Sequence, residues 1–156
     1  MYRIYTSPGR RAGYRHRLVC RGVHPDGGPE AQFIADSAAS GNSLFLVAEV
    51  GRRIVGILTL QGGNRKSTRH SATLGISVTR DCRGQGVGRA PMQAAIDWAK
   101  ANLLLKLIEL FVVTSNQPAV HLYEYCGFIV EGQRRNALYR DGQFHDDLLM
   151  ALLLSD

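Results

Sequence analysis

In "RGQGVGRA" at residues 83–90, glycines stand at every second position between two arginines. Glycine has no side chain to bury and loses the most backbone freedom on folding, so this stretch cannot serve a hydrophobic core. It follows the apolar run "ATLGISV" at 72–78 and precedes a run whose apolar residues recur at helical spacing. The order predicts a β-strand, a glycine-rich loop and an amphipathic helix.

A glycine loop that feeds a helix is suited to holding phosphate. The first turn of the helix has N–H groups without intrahelical acceptors, and the helix dipole adds partial positive charge there. Arg83 and Arg89 would add charge-assisted contacts. The P-loop pattern is excluded because no Lys-Ser or Lys-Thr pair follows, and the dinucleotide fingerprint is excluded because Arg89 stands where its last glycine should be. The pattern that fits is R-x-x-G-x-G, at Arg83, Gly86 and Gly88.

The rest of the chain alternates strand and helix patterns. Strand patterns cover 43–50, 53–61, 72–78 and 106–114, with more β structure between 128 and 154, and helical patterns cover 30–39, the run containing Met92, Ala95, Ile96 and Ala99, and the run from Asn116 to Gly127. A length of 156 residues suits one domain. We therefore expect a single three-layer α/β domain with a mixed sheet, preceded by an irregular segment at 1–28.

The net charge of +6 comes from the N-terminal segment. Six arginines precede the first acidic residue, Asp26, and the remaining 13 basic residues balance the 13 acidic ones. A basic arm at 1–28 could contact nucleic acid or another polyanion, or resemble a transit peptide, or it could be a solvated end, which we favour.

Composition argues against several other classes of protein. The three cysteines are far apart and odd in number, and the five histidines are scattered, so neither a disulfide framework nor a metal site is expected. No apolar run is long enough to span a membrane, and the N-terminus has no apolar signal core. These features predict a cytoplasmic protein with no membrane partner.

The glycine loop resembles the pyrophosphate loop of the GCN5-related N-acetyltransferases (GNAT), and the resemblance covers about 44–154. The stretch "GISVTRDCRGQGVGRAPMQAAIDWA" at 75–99 is similar to the central strand, acyl-CoA loop and helix of that family. The stretch "VVTSNQPAVHLYEYCGF" at 112–128 is similar to its next strand and helix, with N-x-x-A-x-x-L-Y-x-x-x-G-F. The end of the chain, 131–154, resembles the C-terminal strands of members that act on small amines and protein N-termini.

The resemblance implies a fold and a cofactor. The sheet would be mixed, mostly antiparallel and twisted, flanked by helices, with a splay between its fourth and fifth strands that admits acetyl-CoA. Residues 29–156 would form the acyl-CoA-binding N-acetyltransferase domain. A homodimer is compatible with this reading.

The resemblance also implies site residues. The cofactor-binding set is Ile76, Val78, Arg83, Gly84, Gln85, Gly86, Val87, Gly88, Arg89 and Asn116. The pyrophosphate would bind the backbone amides of 84–89, and the pantetheine arm would pair with the strand edge near Ile76 to Val78. The backbone N–H near Val78 would polarise the thioester carbonyl, and Tyr123 would be the general acid that protonates the departing thiolate.

Some residues have a second interpretation. Tyr123 could be a packed aromatic, and Asn116 could be a helix cap as well as a ligand. Asp146 and Asp147 could face a substrate amine or end a strand in solvent. The general base stays open because the 72–78 strand carries no carboxylate; Glu49 or a water chain are candidates.

The chain departs from the family pattern in two places. Pro91 stands where a large aliphatic residue is usual, and a proline beyond the first helical turn costs about 3 kcal/mol. We therefore expect the helix after the loop to be kinked or to start late. The second departure is the arginine-rich 1–28, which lacks a convincing amphipathic helix, so the acceptor site could be reduced, rebuilt by the arm or completed by a partner chain.

The function predicted is transfer of an acetyl group from acetyl-CoA to a primary amine, in a small molecule or at a protein N-terminus, by direct transfer. The alternative is a non-catalytic acyl-CoA sensor or an RNA- or ribosome-associated module that uses the arginine-rich arm.

Overall fold

The computed structural model describes residues 3–6, 40–50 and 52–154. The elements in chain order are β1 (Arg3–Thr6), β2 (Leu44–Val50), β3 (Arg53–Gly62), β4 (Ser71–Val78), α1 (Arg89–Lys100), β5 (Leu107–Val113), α2 (Gln117–Tyr125), β6 (Ile129–Arg140) and β7 (Gln143–Leu153), with a short 3-10 helix at Arg80–Cys82 between β4 and α1.

The strands form one mixed sheet of seven strands in the order β1-β2-β3-β4-β5-β7-β6. Every neighbouring pair is antiparallel except β4 and β5, which are parallel. The parallel pair is the one joined through α1, as a parallel connection requires a crossover. The predicted α/β class and the mixed, mostly antiparallel sheet are confirmed.

The sheet opens between β4 and β5. Their pairing covers only three residues on each strand, from Ser71 opposite Leu107 to Thr73 opposite Glu109. Beyond that point β4 continues to Val78 paired only with β3, and β5 continues to Val113 paired with β7. The splay predicted between the fourth and fifth strands is therefore present, and it widens toward the carboxyl ends of both strands.

The main hydrophobic core lies on one face of the sheet. Alternate residues of five strands point to it: Leu44, Leu46, Leu58, Leu60, Ala72, Leu74, Ile108, Leu110, Val112 and Met150. Met92 and Ile96 of α1 and Val120 and Tyr123 of α2 belong to the same cluster. Both described helices therefore cover this face, and the helix predicted at 30–39 lies outside the described residues.

The N-terminal segment contributes a strand to the sheet. Arg3–Thr6 pairs antiparallel with β2, from Arg3 opposite Glu49 to Thr6 opposite Leu46. The rest of the predicted arm at 1–28 lies outside the described residues, and the boundary at residue 29 stays a prediction.

The last two strands form a long hairpin. The β structure predicted in pieces from 128 to 154 is continuous, but the β6–β7 register shifts between Val130 and Gly132 and between Arg134 and Leu138. Asn136 lies inside the second irregularity with φ 53°. Within the described residues, no helix is long and apolar enough to cross a membrane, and no group of three or more potential metal ligands is found.

Candidate active site

Two glycines of the loop have a backbone that other residues rarely adopt. Gly84 and Gly86 have φ values of +72° and +77°, in the left-handed region that glycine enters without a steric penalty. A Cβ built on either residue would have no atom within 4 Å. The loop therefore presents bare backbone to open space, and side chains there would fill that space.

The third glycine and the valine before it hold the loop in place. Gly88 caps the start of α1 with φ −74°, and a Cβ there would meet Leu122 Cδ2 at 3.4 Å and Ile76 Cδ1 at 3.6 Å. Val87 is buried in a small cluster with Ala48 and Val55. The side chain of Val87 thus anchors the loop to β2 and β3, and its backbone is what remains to contact a ligand.

Helix α1 begins late, as Pro91 predicts. Its first residue is Arg89, so Pro91 is the third helical residue. The N–H that proline lacks would have no intrahelical acceptor at this position, so the helix loses no hydrogen bond. The helix is continuous from Arg89 to Lys100, so the unusual proline does not interrupt it.

The polar side chains of the loop are held by its surroundings. Arg83 donates from Nε to the Val78 carbonyl at 3.0 Å, and Gln85 donates from Nε2 to the Asp81 carbonyl at 2.9 Å. Arg89 donates to the Tyr125 hydroxyl, and its guanidinium carbon lies 4.1 Å from the centre of that ring. Arg83 and Arg89 are both exposed, so two positive charges flank the bare backbone.

The 3-10 turn before the loop is tied to β3 by an ion pair. Arg53 donates to both carboxylate oxygens of Asp81, at 2.6 and 3.1 Å. The hydrogen bond from Arg53 lowers the pKa of Asp81 below its usual value. This exposed pair fixes where the loop leaves the sheet.

The edge of β4 that faces the splay is unpaired in the described structure beyond Thr73. The Thr79 N–H donates to Val55 on β3 at 2.9 Å, and Ser77 lies opposite Ile57. Because hydrogen-bonding direction alternates along an antiparallel strand, the N–H groups of Ile76 and Val78 point away from β3, into the gap. The Val78 carbonyl already accepts from Arg83, so the N–H is the group that Val78 offers to a ligand.

Asn116 occupies the cap position of α2 without capping through its side chain. Its carbonyl accepts from the Ala119 and Val120 N–H groups at 3.0 and 3.1 Å, while its side chain makes no capping bond and is exposed. The neighbouring side chain of Gln117 makes a hydrogen bond at this end of the helix, since its Nε2 donates to the Thr114 carbonyl at 2.8 Å. The Asn116 amide therefore stays available at the open end of the splay.

Tyr123 is buried in α2, and its ring lies 6.1 Å from the ring of Phe128 at a tilt of 59°. Burial raises the pKa of the phenol above its ordinary value of 10.0, with a smaller contribution from Cys126. The phenol is therefore protonated at neutral pH. The packed position and the acid role are compatible with each other.

The glycine loop, β4 and α2 lie close together at Gly88. A Cβ built on Gly88 would lie 3.6 Å from Ile76 of β4 and 3.4 Å from Leu122 of α2. Tyr125, which positions Arg89, was not predicted from the sequence, because the contact joins two helices that are far apart along the chain. Glu49 lies on β2, separated from the gap by β3 and β4.

The two aspartates differ in their surroundings. Asp146 accepts from Gln133 Nε2 at 2.8 Å and from the Asn136 N–H at 2.9 Å, and these bonds lower its pKa. Asp147 is 2% exposed and receives two hydrogen bonds from Arg134, at 2.8 and 2.6 Å. Asp146 holds the β6 irregularity, and Asp147 is a buried carboxylate paired with the half-exposed Arg134, so Asp147 is not a solvated strand end.

The fold and the site define a class: an α/β protein whose central sheet splits beside a glycine loop that exposes its backbone. The acetyltransferase (GNAT) family model matches residues 10–128. The chain belongs to this family of acetyltransferases, whose members use acetyl-CoA.

Individual relatives and a solved structure agree with the assignment. The chain is 32% identical over 111 residues to a spermidine N(1)-acetyltransferase of Vibrio cholerae, covering 71% of this chain and 63% of that protein. It is 34% identical over 106 residues to the L-amino acid N-acetyltransferase AaaT of Escherichia coli, covering 68% of this chain and 65% of that protein. The crystal structure of a GNAT-family acetyltransferase from Streptococcus pneumoniae superposes with a TM-score of 0.77 at 34% identity, covering 80% of this chain and 74% of that one. The matches thus span a little under two thirds of these two curated relatives.

Proposed function

We propose that this protein transfers the acetyl group of acetyl-CoA directly to a primary amine. The single observation that carries the proposal is the glycine loop, which presents bare backbone at the mouth of a split sheet. The absence of a Cβ at Gly84 and Gly86 leaves open space beside the loop backbone, and a diphosphate would occupy that space. The exposed Arg83 and Arg89 add the positive charge that a diphosphate requires.

Each remaining group has a chemical role. Acetyl-CoA supplies an acetyl thioester, which is an electrophile for amines. The loop amides and the two arginines would hold the diphosphate, and the β4 edge with the Asn116 side chain would hold the pantetheine arm. The Val78 N–H, directed into the gap, would donate to the carbonyl oxygen as negative charge develops on it.

Tyr123 would complete the proton balance. The neutral amine attacks the thioester carbon, a C–N bond forms, the C–S bond breaks, and the thiolate takes a proton from the Tyr123 hydroxyl. The amine nitrogen loses its extra proton to water or to a base, and the phenolate recovers a proton from solvent. No covalent bond to the protein is needed, because the amine is itself the nucleophile.

The test is an acetyl-transfer screen read by release of free thiol. Amino acids, polyamines, aminoglycosides and N-terminal peptides serve as acceptors with acetyl-CoA as donor. We expect release that depends on one class of primary amine. If no amine in the screen raises release above the rate with water alone, the proposal is wrong. Acetyl-CoA binding without release would favour the sensor that the sequence left as the alternative.

A matched pair of glycine variants tests the loop. Gly86→Ala places a methyl group in the open space and imposes a left-handed backbone on alanine, at a cost of about 1–2 kcal/mol. Gly142→Ala, in the β6–β7 turn, has the same φ of +77° and the same open surroundings, so it carries the same strain away from the site. We expect Gly86→Ala to weaken acetyl-CoA binding at least tenfold and Gly142→Ala to leave it unchanged. Equal effects of the two variants would contradict the loop's role.

A further inference from the structure

The face of the sheet opposite α1 and α2 carries an ordered charged cluster beside the splay. On β5, Ile108, Leu110 and Val112 point to the helices, so Phe111 points to the other face. On β7, Leu148 and Met150 likewise point to the helices, so Asp147 shares the face of Phe111. A molecule that approached the splay from the side away from the helices would meet these residues.

Arg134 reaches across this face toward the gap. Its backbone lies on β6 opposite Asp147, and Asp147 lies opposite Val113 of β5. Its guanidinium carbon is 3.9 Å from the centre of the Phe111 ring, which belongs to β5. The side chain therefore extends from β6 over β7 to the strand that borders the splay.

The cluster lies at the depth where transfer would occur. The last β4–β5 pair is Thr73 opposite Glu109, so Phe111 and Val113 are two and four residues beyond it. On β4 the residues two and four positions beyond Thr73 are Gly75 and Ser77, and Ser77 precedes Val78. The guanidinium thus lies near the thioester end of the proposed cofactor path and away from the phosphate loop.

The ion pair leaves a positive group facing solvent. Asp147 is 2% exposed and is bound by Nε and one terminal nitrogen of Arg134, whose side chain is 53% exposed. The other terminal nitrogen, Nη1, is not used in this pair. Phe111 below the guanidinium and Asp147 beside it fix the plane of the group, so it is preorganised as a donor. Glu109, the carboxylate of β5 on this face, is half-buried at the closed end of the splay.

We infer that Arg134 forms a subsite for the carboxylate of the acceptor, and that the acceptor is therefore an α-amino acid rather than a polyamine. The inference rests on the proposed function and names its substrate class. An amino acid places its carboxylate two bonds from the amine nitrogen, so a carboxylate held by Arg134 directs the amine toward the gap. A polyamine would bring ammonium groups against an exposed guanidinium.

The first experiment varies the substrate and leaves the protein intact. Thiol release is measured with L-amino acids, with the corresponding amino acid amides and with spermidine, each at equal concentration of neutral amine. A charge-assisted hydrogen bond corresponds to about ten- to hundredfold in affinity, so we expect KM to be larger by that factor for the amides. Amides that match the acids, or a preference for spermidine, would overturn the inference and leave the proposed function standing. Release with none of this panel would overturn the inference, and the proposed function would fall only if the wider screen of amines also gave no release.

The second experiment removes the subsite. Because removal of Arg134 alone would leave Asp147 as an unpaired buried charge, the variant combines Arg134→Gln with Asp147→Asn and keeps a neutral pair that can hydrogen bond. Arg140→Met, an exposed arginine near the end of β6, is the control. We expect the double variant to raise KM for amino acids ten- to hundredfold, with kcat, KM for the amides and acetyl-CoA affinity unchanged. Equal shifts for acids and amides would show a structural role only and overturn the inference.

Discussion

At the scale of single residues, Tyr123 is the side chain whose chemistry can be isolated most cleanly. Phenylalanine keeps the ring and its tilted contact with Phe128, so Tyr123→Phe should leave the free energy of unfolding within about 1 kcal/mol. A positioned general acid contributes about a hundredfold or more to rate. We expect kcat to fall by about that factor while acetyl-CoA affinity is unchanged. Tyr139→Phe, an exposed tyrosine of β6, is the control, and an unchanged kcat in Tyr123→Phe would exclude the acid role.

The pH dependence of the same residue has a defined sign. Burial raises the pKa of Tyr123 above 10.0, so the folded protein favours the protonated phenol. The stability that this preference contributes is constant below pH 10 and is lost as pH rises through the raised pKa. Because Tyr123 stays protonated up to at least pH 10, the general acid should be available for catalysis over that range. An alkaline decrease in kcat that is present in the wild type and absent in Tyr123→Phe would identify the group.

Other residues show which features of the site a sequence can reveal. Gly84 and Gly86 were predictable because glycine adopts their left-handed backbone without a steric penalty. Pro91 indicated that α1 would be kinked or start late, and α1 starts late. The pairing of Asp147 with Arg134 was not predictable, because it depends on the β6–β7 register and its irregularities. The contact of Arg89 with Tyr125 likewise joins two helices far apart in sequence.

At the scale of elements, local patterns predicted the type of each strand and helix but not the connections that hold them. Asn42 is buried before β2 and organises the connection between β3 and β4. Its Nδ2 donates to the carbonyls of Gly63 and Arg69 at 2.9 and 3.0 Å, and its Oδ1 accepts from Ser40 at 2.6 Å. No sequence signal distinguishes it from the exposed Asn64, because the two carbonyls that it binds belong to residues more than twenty positions away.

Substitution of Asn42 should therefore destabilise the protein without altering the active site. Asn42→Ala removes the side-chain donor to the Gly63 and Arg69 carbonyls, which we expect to cost about 2–3 kcal/mol. Asn64→Ala, in the same connection but exposed, should change stability by no more than about 0.5 kcal/mol. Urea unfolding monitored by circular dichroism measures both. The β3–β4 connection lies before β4 and the glycine loop lies after β4, so acetyl-CoA affinity should be unchanged. A large loss of affinity in Asn42→Ala would contradict this separation.

At the scale of the whole molecule, the splay is the property that local sequence does not reveal. β4 and β5 read as ordinary strands, and only their register shows that pairing stops after Thr73 and Glu109. The family resemblance supplied this feature, since periodicity describes one strand at a time. A gap in a sheet leaves backbone groups without partners, and the fold tolerates this cost because a ligand can satisfy them. The stability of the molecule should therefore depend on what occupies the gap.

Thermal unfolding with CoA and with pantetheine tests this dependence and separates the two halves of the site. A ligand present at 100 times its Kd stabilises the folded state by about 2.7 kcal/mol, and 1 kcal/mol shifts Tm by about 2–4 °C in a protein of this size. CoA at saturation should therefore raise Tm by about 5–10 °C. Pantetheine can pair with the β4 edge but has no diphosphate for the loop, so at the same concentration it should raise Tm by less than 2 °C. Equal shifts with the two ligands would mean that the glycine loop contributes nothing to binding, and the absence of a shift with CoA would mean that the gap does not accept it.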